Sequence, residues 1–364
     1  MRILVATDRI GALSSAAAGR AIAAGWVQAD ADAQLAVVAL GEAGEGFAEA
    51  LADHADAELE LVSEPDAQMV SRFMTPEISL IAAEPLETEP PRGLDPAASS
   101  VGVGRAIADL LTNHRTERLY LDLGGLYCHD AGAGILSGLG AVADAPLDEG
   151  YAGLAGITQL DLSSVRELIG ETELVAIVPS AEAEQHLLGL RGVTSLRGRD
   201  VNTDPAEMLA ADSALERLAA LVNPDASGLP GAGAAGGAAY AIAALGGTIL
   251  TGPEACAELV GLEDTMNVAE LVVTGSSAFD FGSRGGGVMQ FVAEMAQTAM
   301  RPCIALAGTV VIGSREMRTM GVESAYAVQA PGSPGTMGDQ PTGRDVTAEQ
   351  LTEVAARIAR TWSW

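Results

Sequence analysis

The chain has 364 residues, 48% of them apolar and only 4% aromatic, which is enough for two cores filled by Leu, Val, Ile and Ala. Its formal net charge is −29, a field that repels phosphate backbones and excludes nucleic acid as an expected partner. All twenty basic residues are Arg, so no Lys is present to contact a phosphate or form a Schiff base.

The chain opens on an apolar run, Ile3–Ala6, which reads as a strand rather than a signal peptide because charge follows at once. The loop Ala6–Ser15 (ATDRIGALSS) comes next, then a helical pattern over Ser14–Trp26. Its Gly11 and the helix N-terminus offer N–H groups to an anion, although the Walker A pattern is missing. A second strand, Leu35–Leu40, leads into LGEAGEGFAEAL. There Glu42 and Glu45 could hold Mg²⁺ through water, or simply favour a helix N-terminus. The Pro- and acid-rich text Glu84–Pro96 suggests a domain crossing near residue 90.

A helix is expected over Val101–Asn113 and a strand over Leu119–Leu123. The stretch LGGLYCHDAGAGI follows, with Cys128, His129 and Asp130 adjacent. Neighbours on one loop point different ways, so a catalytic triad is a poor reading. Asp130 could cap a helix running through Gly140, or the glycines could present backbone N–H groups to a substrate. A strand at Leu174–Val178 and a helix at Pro205–Leu221 come next.

Between Asp225 and Glu254 no residue is charged, yet Gly and Ala dominate and the flanks are acidic. A buried glycine-rich loop and helix is the expectation there, not a membrane span. Within it, LPGAGAAGG contains G-x-G-x-x-G at Gly231, Gly233 and Gly236, without the strand or acidic partner of a dinucleotide fingerprint. The strand Leu271–Thr274 precedes VTGSSAFDFGSRGGG, where Asp280 and Arg284 are candidates for metal and phosphate contact. A helix over Gly287–Met300, a strand over Ile304–Ala307, a Gly/Pro-rich loop at Ala330–Arg344 and a terminal helix Ala348–Thr361 complete the chain. Thr347 to Gln350 has the form of a capping box. Alternation of strand and helix points to an α/β architecture with a largely parallel sheet, whose ligands bind beyond the carboxyl ends of its strands. Three widely spaced cysteines give no disulfide or zinc pattern and fit a reduced, cytoplasmic protein.

Taken in order, SSVGVGRAI, the frame Gly124–Ala141, LPGAGAAGG, the frame Val272–Asp280 and IALAG make the chain resemble the bacterial glycerate kinase family. The resemblance runs from Ile3 to about Val328. It implies two α/β domains with an active-site cleft between them. One would be Rossmann/flavodoxin-like, from residues 1–90 and 285–364, and the other, 91–284, inserted. It also implies transfer of the ATP γ-phosphate to glycerate or a related hydroxy acid, assisted by Mg²⁺. On that reading Asp8, Asp130 and Asp280 are catalytic candidates, and Glu42 and Glu45 are metal candidates. Arg9, Gly124, Gly125, His129, Gly231, Gly233, Thr274, Gly275 and Arg284 would contact substrate or nucleotide.

The departures fall in the loops. The family's Asp-Ser-Phe-Lys-Gly-Ser becomes Asp8-Arg9-Ile10-Gly11-Ala12, without the Lys. Its Ser-Ala-Thr-Asn-Asp becomes Leu126-Tyr127-Cys128-His129-Asp130. Its Cys-Asp-…-Asn-Pro segment becomes VPSAEAEQHLLG, and its Thr-Gly-Glu-Gly-Arg-Ile-Asp loop becomes TGSSAFD. The alternative is therefore a catalytically inactive homologue that binds a ligand or a protein partner.

Overall fold

The computed structural model describes residues 1–63, 68–86, 88, 93–329 and 345–362. It divides into two compact units: residues 1–42, 49–54 and 252–364 form the first, and residues 43–48 and 55–251 form the second. The first unit is thus built from both chain ends, but the divisions fall elsewhere than at 90 and 284. Strand pairing is the reason. Leu271–Thr274 lies parallel to Arg2–Thr7 and belongs to the terminal unit. Ile78–Ala83 lies parallel to Arg118–Asp122 and belongs to the inserted one. The Pro- and acid-rich text after Glu84, as far as it is described, is a connection inside the second unit.

The first unit holds a five-stranded, wholly parallel sheet. Across it the strands run Ser324–Ala327, Cys303–Ala307, Leu271–Thr274, Arg2–Thr7, Gln34–Ala39. Numbered along the chain within this unit, the order is 2-1-3-4-5, the flavodoxin-like arrangement. In the three inner strands side chains alternate between two covered faces, which is why those runs are mostly apolar, while the edge strands Gln34–Ala39 and Ser324–Ala327 are only partly buried. Ile3, Val5, Leu271, Val273, Ile304 and Leu306 form one core with Ile22 and Trp26 of the helix Ser15–Ala29 and Leu351 and Ile358 of the helix Ala348–Trp362.

Those two helices pack closely because Gly25 has no side chain. A Cβ there would lie 2.3 Å from the Thr352 carbonyl oxygen and 2.7 Å from the Ala355 Cβ. The Thr352 hydroxyl donates to the Ala21 carbonyl at 3.0 Å in the same contact. The terminal helix begins with the expected capping box: Thr347 N–H donates to Gln350 Oε1 at 3.0 Å, and Gln350 N–H donates to Thr347 Oγ1 at 3.3 Å. The expected loop at Ala330–Arg344 lies outside the described residues.

The second unit holds a six-stranded mixed sheet in the order Thr248–Thr251, Glu173–Val178, Arg118–Asp122, Ile78–Ala83, Val70–Met74, Glu60–Val62. The first four strands pair in parallel, and Val70–Met74 pairs antiparallel with both Ile78–Ala83 and Glu60–Val62. The charge-free stretch becomes short 3₁₀ turns, the helix Ala238–Ala244 and the strand Thr248–Thr251. Among the described residues no helix is long and apolar enough to cross a membrane.

Gly25→Ala should lower stability although alanine is the better helix former. The helix-propensity gain is about 1 kcal/mol, whereas forcing a methyl group into packed backbone costs about 1–3 kcal/mol or more. A urea unfolding curve checks the sign, and an unchanged or raised midpoint would contradict the packing described.

Candidate active site

In a 2-1-3-4-5 sheet the chain leaves the first and third strands in opposite directions, which opens a crevice beyond their carboxyl ends. Here those strands are Arg2–Thr7 and Leu271–Thr274, so the crevice lies between the loops beginning at Asp8 and Gly275. Both had stood out in the sequence, and the fold makes them neighbours. The Thr7 hydroxyl donates to the Gly275 carbonyl at 3.0 Å across 268 residues, and the Asp8 N–H donates to the same oxygen at 3.1 Å. The Gly11 N–H donates to Ser277 Oγ at 2.9 Å. Gly275 is needed for this closeness, since a Cβ there would sit 2.2 Å from the Leu306 carbonyl oxygen.

The second loop is more ordered than a solvated turn. Ala278–Asp280 forms a short parallel pairing with Thr309–Val311, and Phe279 is fully buried. Asp280 Oδ1 accepts from the Ser283 N–H at 2.6 Å, and that bond holds its carboxyl below the usual value. Arg284 follows at φ +51°, exposed, with Gly285 and Gly286 also at positive φ. They open the helix Gly286–Thr298, whose first N–H groups carry partial positive charge. Asp8 Oδ1 accepts from the Arg9 N–H at 2.8 Å, while a Cβ on Gly286 would come within 4.0 Å of Asp8 Oδ2. A carboxylate therefore stands beside a glycine-bordered helix N-terminus. Thr274 is fully buried beneath, with Oγ1 lacking a hydrogen-bond partner among the described residues.

Mg²⁺ takes oxygen ligands in near-octahedral geometry and usually keeps water and substrate phosphates around one or two carboxylates. Asp8 and Asp280 are the carboxylates that the two crevice loops carry. Among the described residues no group of three or more His, Cys, Asp or Glu could hold a metal ion by itself. Glu42 ends the first segment of the first unit and Glu45 belongs to the second.

In the second unit the expected substrate loop follows the strand Arg118–Asp122. Asp122 Oδ1 accepts from the Gly44 N–H at 2.9 Å and the Gly124 N–H at 3.0 Å. Gly124 and Gly125 are needed for chain packing: a Cβ would lie 2.3 Å from the Ala43 carbonyl carbon and 2.1 Å from the Ala83 carbonyl oxygen, respectively. Gln68 was not visible as a site residue. It donates to the Glu84 and Gly125 carbonyls and accepts from the Tyr127 N–H.

Asp130 is fully buried, not exposed to a substrate. Its carboxylate accepts from the Ser100 N–H and hydroxyl, both at 2.8 Å, and from the Gly132 and Gly134 N–H groups. It ties the start of the helix Ala133–Gly138 to the start of Val101–Asn113. Burial pushes its carboxyl up, while these donors pull it down. This is the capping role, shifted to a shorter helix, and it commits the Asp130 carboxylate to the Ser100, Gly132 and Gly134 donors.

His129 is likewise sealed, at 1% exposure. Its Nε2 lies 3.0 Å from Thr194 Oγ1 and its Nδ1 3.4 Å from Arg197 Nη1. Arginine can only donate, so Nδ1 is the acceptor and the proton resides on Nε2. Burial and then the Arg197 charge bring the imidazole down to about 3. His129 is thus a buried, neutral histidine held between Thr194 and Arg197. Cys128 is also fully buried; its thiol donates to the Ala235 carbonyl at 2.9 Å and is pushed up by burial.

LPGAGAAGG packs against this same loop. A Cβ on Gly236 would fall 1.9 Å from the Cys128 carbonyl oxygen, and one on Gly233 2.1 Å from the His186 carbonyl oxygen. Gly231 stands at φ +76° against Ile249 and Ala183. Residues 231–237 are buried throughout. The bare backbone expected to meet a nucleotide is occupied by the protein's own chain. Glu182, in the segment that stands where the family has Cys-Asp-…-Asn-Pro, accepts from the Ala235 N–H at 2.8 Å and steadies this turn.

The glycerate kinase family model matches residues 3–363. The chain belongs to the glycerate kinase family. It is 26% identical to a glycerate kinase of Bacillus cereus, over all of this chain and 98% of that one. It is 28% identical to the glycerate 2-kinase of Escherichia coli K12, over 90% of each. The crystal structure of a Salmonella typhimurium LT2 protein assigned as glycerate kinase 2 superposes with a TM-score of 0.77 at 25% identity, covering 99% of this chain and 98% of that one.

In this chain Gly124, Gly125, Gly233 and Gly236 are required by backbone contacts, and Cys128 and His129 are held by Ala235, Thr194 and Arg197.

The histidine gives a pH signature. Unfolded His129 takes up its proton near 6.5, while the folded side chain stays neutral down to about 3. Between those values the unfolded state holds the extra proton, so stability falls as pH is lowered. From pH 7 to pH 5 the wild type should lose about 2 kcal/mol more than His129→Gln. Urea midpoints at both pH values check this, and parallel slopes would contradict it.

Proposed function

We propose that the protein is a glycerate kinase-type phosphotransferase, moving the γ-phosphate of ATP to glycerate or a related small hydroxy acid. The observation that carries this reading is the crevice at the switch point, where Asp8, Ser277 and the N-terminus of Gly286–Thr298 come together. A helix N-terminus with glycine before it suits phosphate oxygens. Arg9 and Arg284, which border the same loops, are the cations that would take the place of the missing lysine. They differ from lysine in presenting a planar fork rather than a point charge. Mg²⁺, brought with the nucleotide, would neutralise phosphate charge beside Asp8 and Asp280. Catalysis of this kind depends on positioning and charge more than on a strong base, so the neutrality of His129 does not oppose it.

A second reading is a non-catalytic member that retains a ligand. The burial of His129 and Asp130 favours it, because two expected polar contacts in the substrate loop are turned inward.

Purified protein incubated with Mg·ATP and D-glycerate should release ADP, and Asp8→Asn should cut that rate by about 100-fold or more. Release of ADP that ignores Asp8→Asn, or no release at all, would overturn the kinase reading. Binding of D-glycerate without turnover would favour the second.

A further inference from the structure

Arg197 sits on the helix Val193–Asp200, half-buried, beside the rewritten loop. Its Nη1 donates to the Cys128 carbonyl at 2.5 Å and lies 3.4 Å from His129 Nδ1. Both acceptors are neutral. Among the described residues no carboxylate comes within ion-pair distance of it, in a chain with 49 acidic side chains. Other arginines, such as Arg72 and Arg118, each meet a glutamate or aspartate.

The guanidinium is therefore oriented without being neutralised. With Nη1 committed to the loop, its side-on edge, Nε–H and Nη2–H, has no protein partner among the described residues. Neither nitrogen is among the sealed, unpartnered polar atoms, so this edge opens to solvent. It is also the edge that receives a carboxylate or a phosphate through two parallel hydrogen bonds. His129 contributes by what it lacks: as a neutral acceptor fixed by Thr194, it steers the fork, whereas a protonated imidazole would repel it. Next along the loop, the Tyr127 hydroxyl lies 3.2 Å from Asp95 Oδ2, and the Arg197 charge pulls that phenol down against the burial that raises it to about 12. The phenol thus stays protonated and adds no charge beside the cation.

We propose that Arg197 is an oxyanion-binding residue of the second unit, held by the Cys128 carbonyl and His129, and that its ligand is the carboxylate of a small hydroxy acid. This gives the proposed substrate class a named receptor and rests on the phosphotransferase reading for the choice of acid. The binding itself does not need turnover. His129 is a positioning residue in this arrangement and touches no ligand.

The test is calorimetric titration of D-glycerate into the full-length protein without nucleotide, with glycerol as the neutral analogue and ADP as the phosphate-bearing probe. D-glycerate should bind, glycerol should not, and Arg197→Gln should weaken D-glycerate about tenfold or more. Arg197→Lys should recover part of that loss, since it restores charge without the fork. Loss of ADP binding with unchanged D-glycerate binding would overturn the carboxylate assignment, as would equal D-glycerate affinity in wild type and Arg197→Gln. No D-glycerate binding by the wild type would overturn it too. If the variants do not fold, phenylglyoxal labelling of the wild type decides: D-glycerate should slow modification at Arg197, and an unprotected Arg197 would refute the proposal. Binding that depends on Arg197 with no ADP release would leave this inference standing while the kinase reading fell.

Discussion

The parallel pairing of Arg2–Thr7 with Leu271–Thr274 is the contact on which the first unit depends. It joins strands 268 residues apart and creates the point where the chain turns in opposite directions. The loops of Asp8 and Gly275 become neighbours only because of it, and the Thr7 and Asp8 donors to the Gly275 carbonyl then fix their separation. Backbone bonding of this kind is indifferent to most side chains. It can persist while the residues on the loops are exchanged, which is how a family frame and an altered site coexist in one chain.

The second unit follows a different logic. Its glycine-rich loop is a knot of chain against chain, in which Gly124, Gly125, Gly233 and Gly236 each allow an approach that a methyl group would forbid. Asp130 and Glu182 then satisfy N–H groups at the turns that such packing leaves without helical partners. The cost of burying the Asp130 charge is offset by four donors. The helix Val193–Asp200 meets this loop through Arg197, which donates to the Cys128 carbonyl.

Much of the scaffold was legible in the sequence. Six strands fell where apolar runs predicted them, and the helix Val101–Asn113 matched to the residue. Glu60–Val62 and Ser324–Ala327 were missed because they are short and only partly buried, so their composition does not separate them from loops, whereas Ile78–Ala83 is apolar and buried and was missed all the same. The site was less legible. Gly231 and Gly233 signalled that something must come close, and a ligand was the obvious occupant. A missing Cβ states the need for space and not what fills it. Arg197 left no signal, because its partners lie 68 and 69 residues earlier in the chain.

The sequence by itself determined the α/β alternation, the family frame, the absence of lysine and the positions where the backbone had to be bare. Those are local properties: periodicity, composition and the conformational reach of glycine. The tertiary structure decided which strands share a sheet, and so where the units divide. It also decided that His129 and Asp130 face inward while Asp8, Ser277 and Arg197 border open space. Burial and hydrogen-bond partnership are set by segments far apart along the chain, and no short window of residues carries that information.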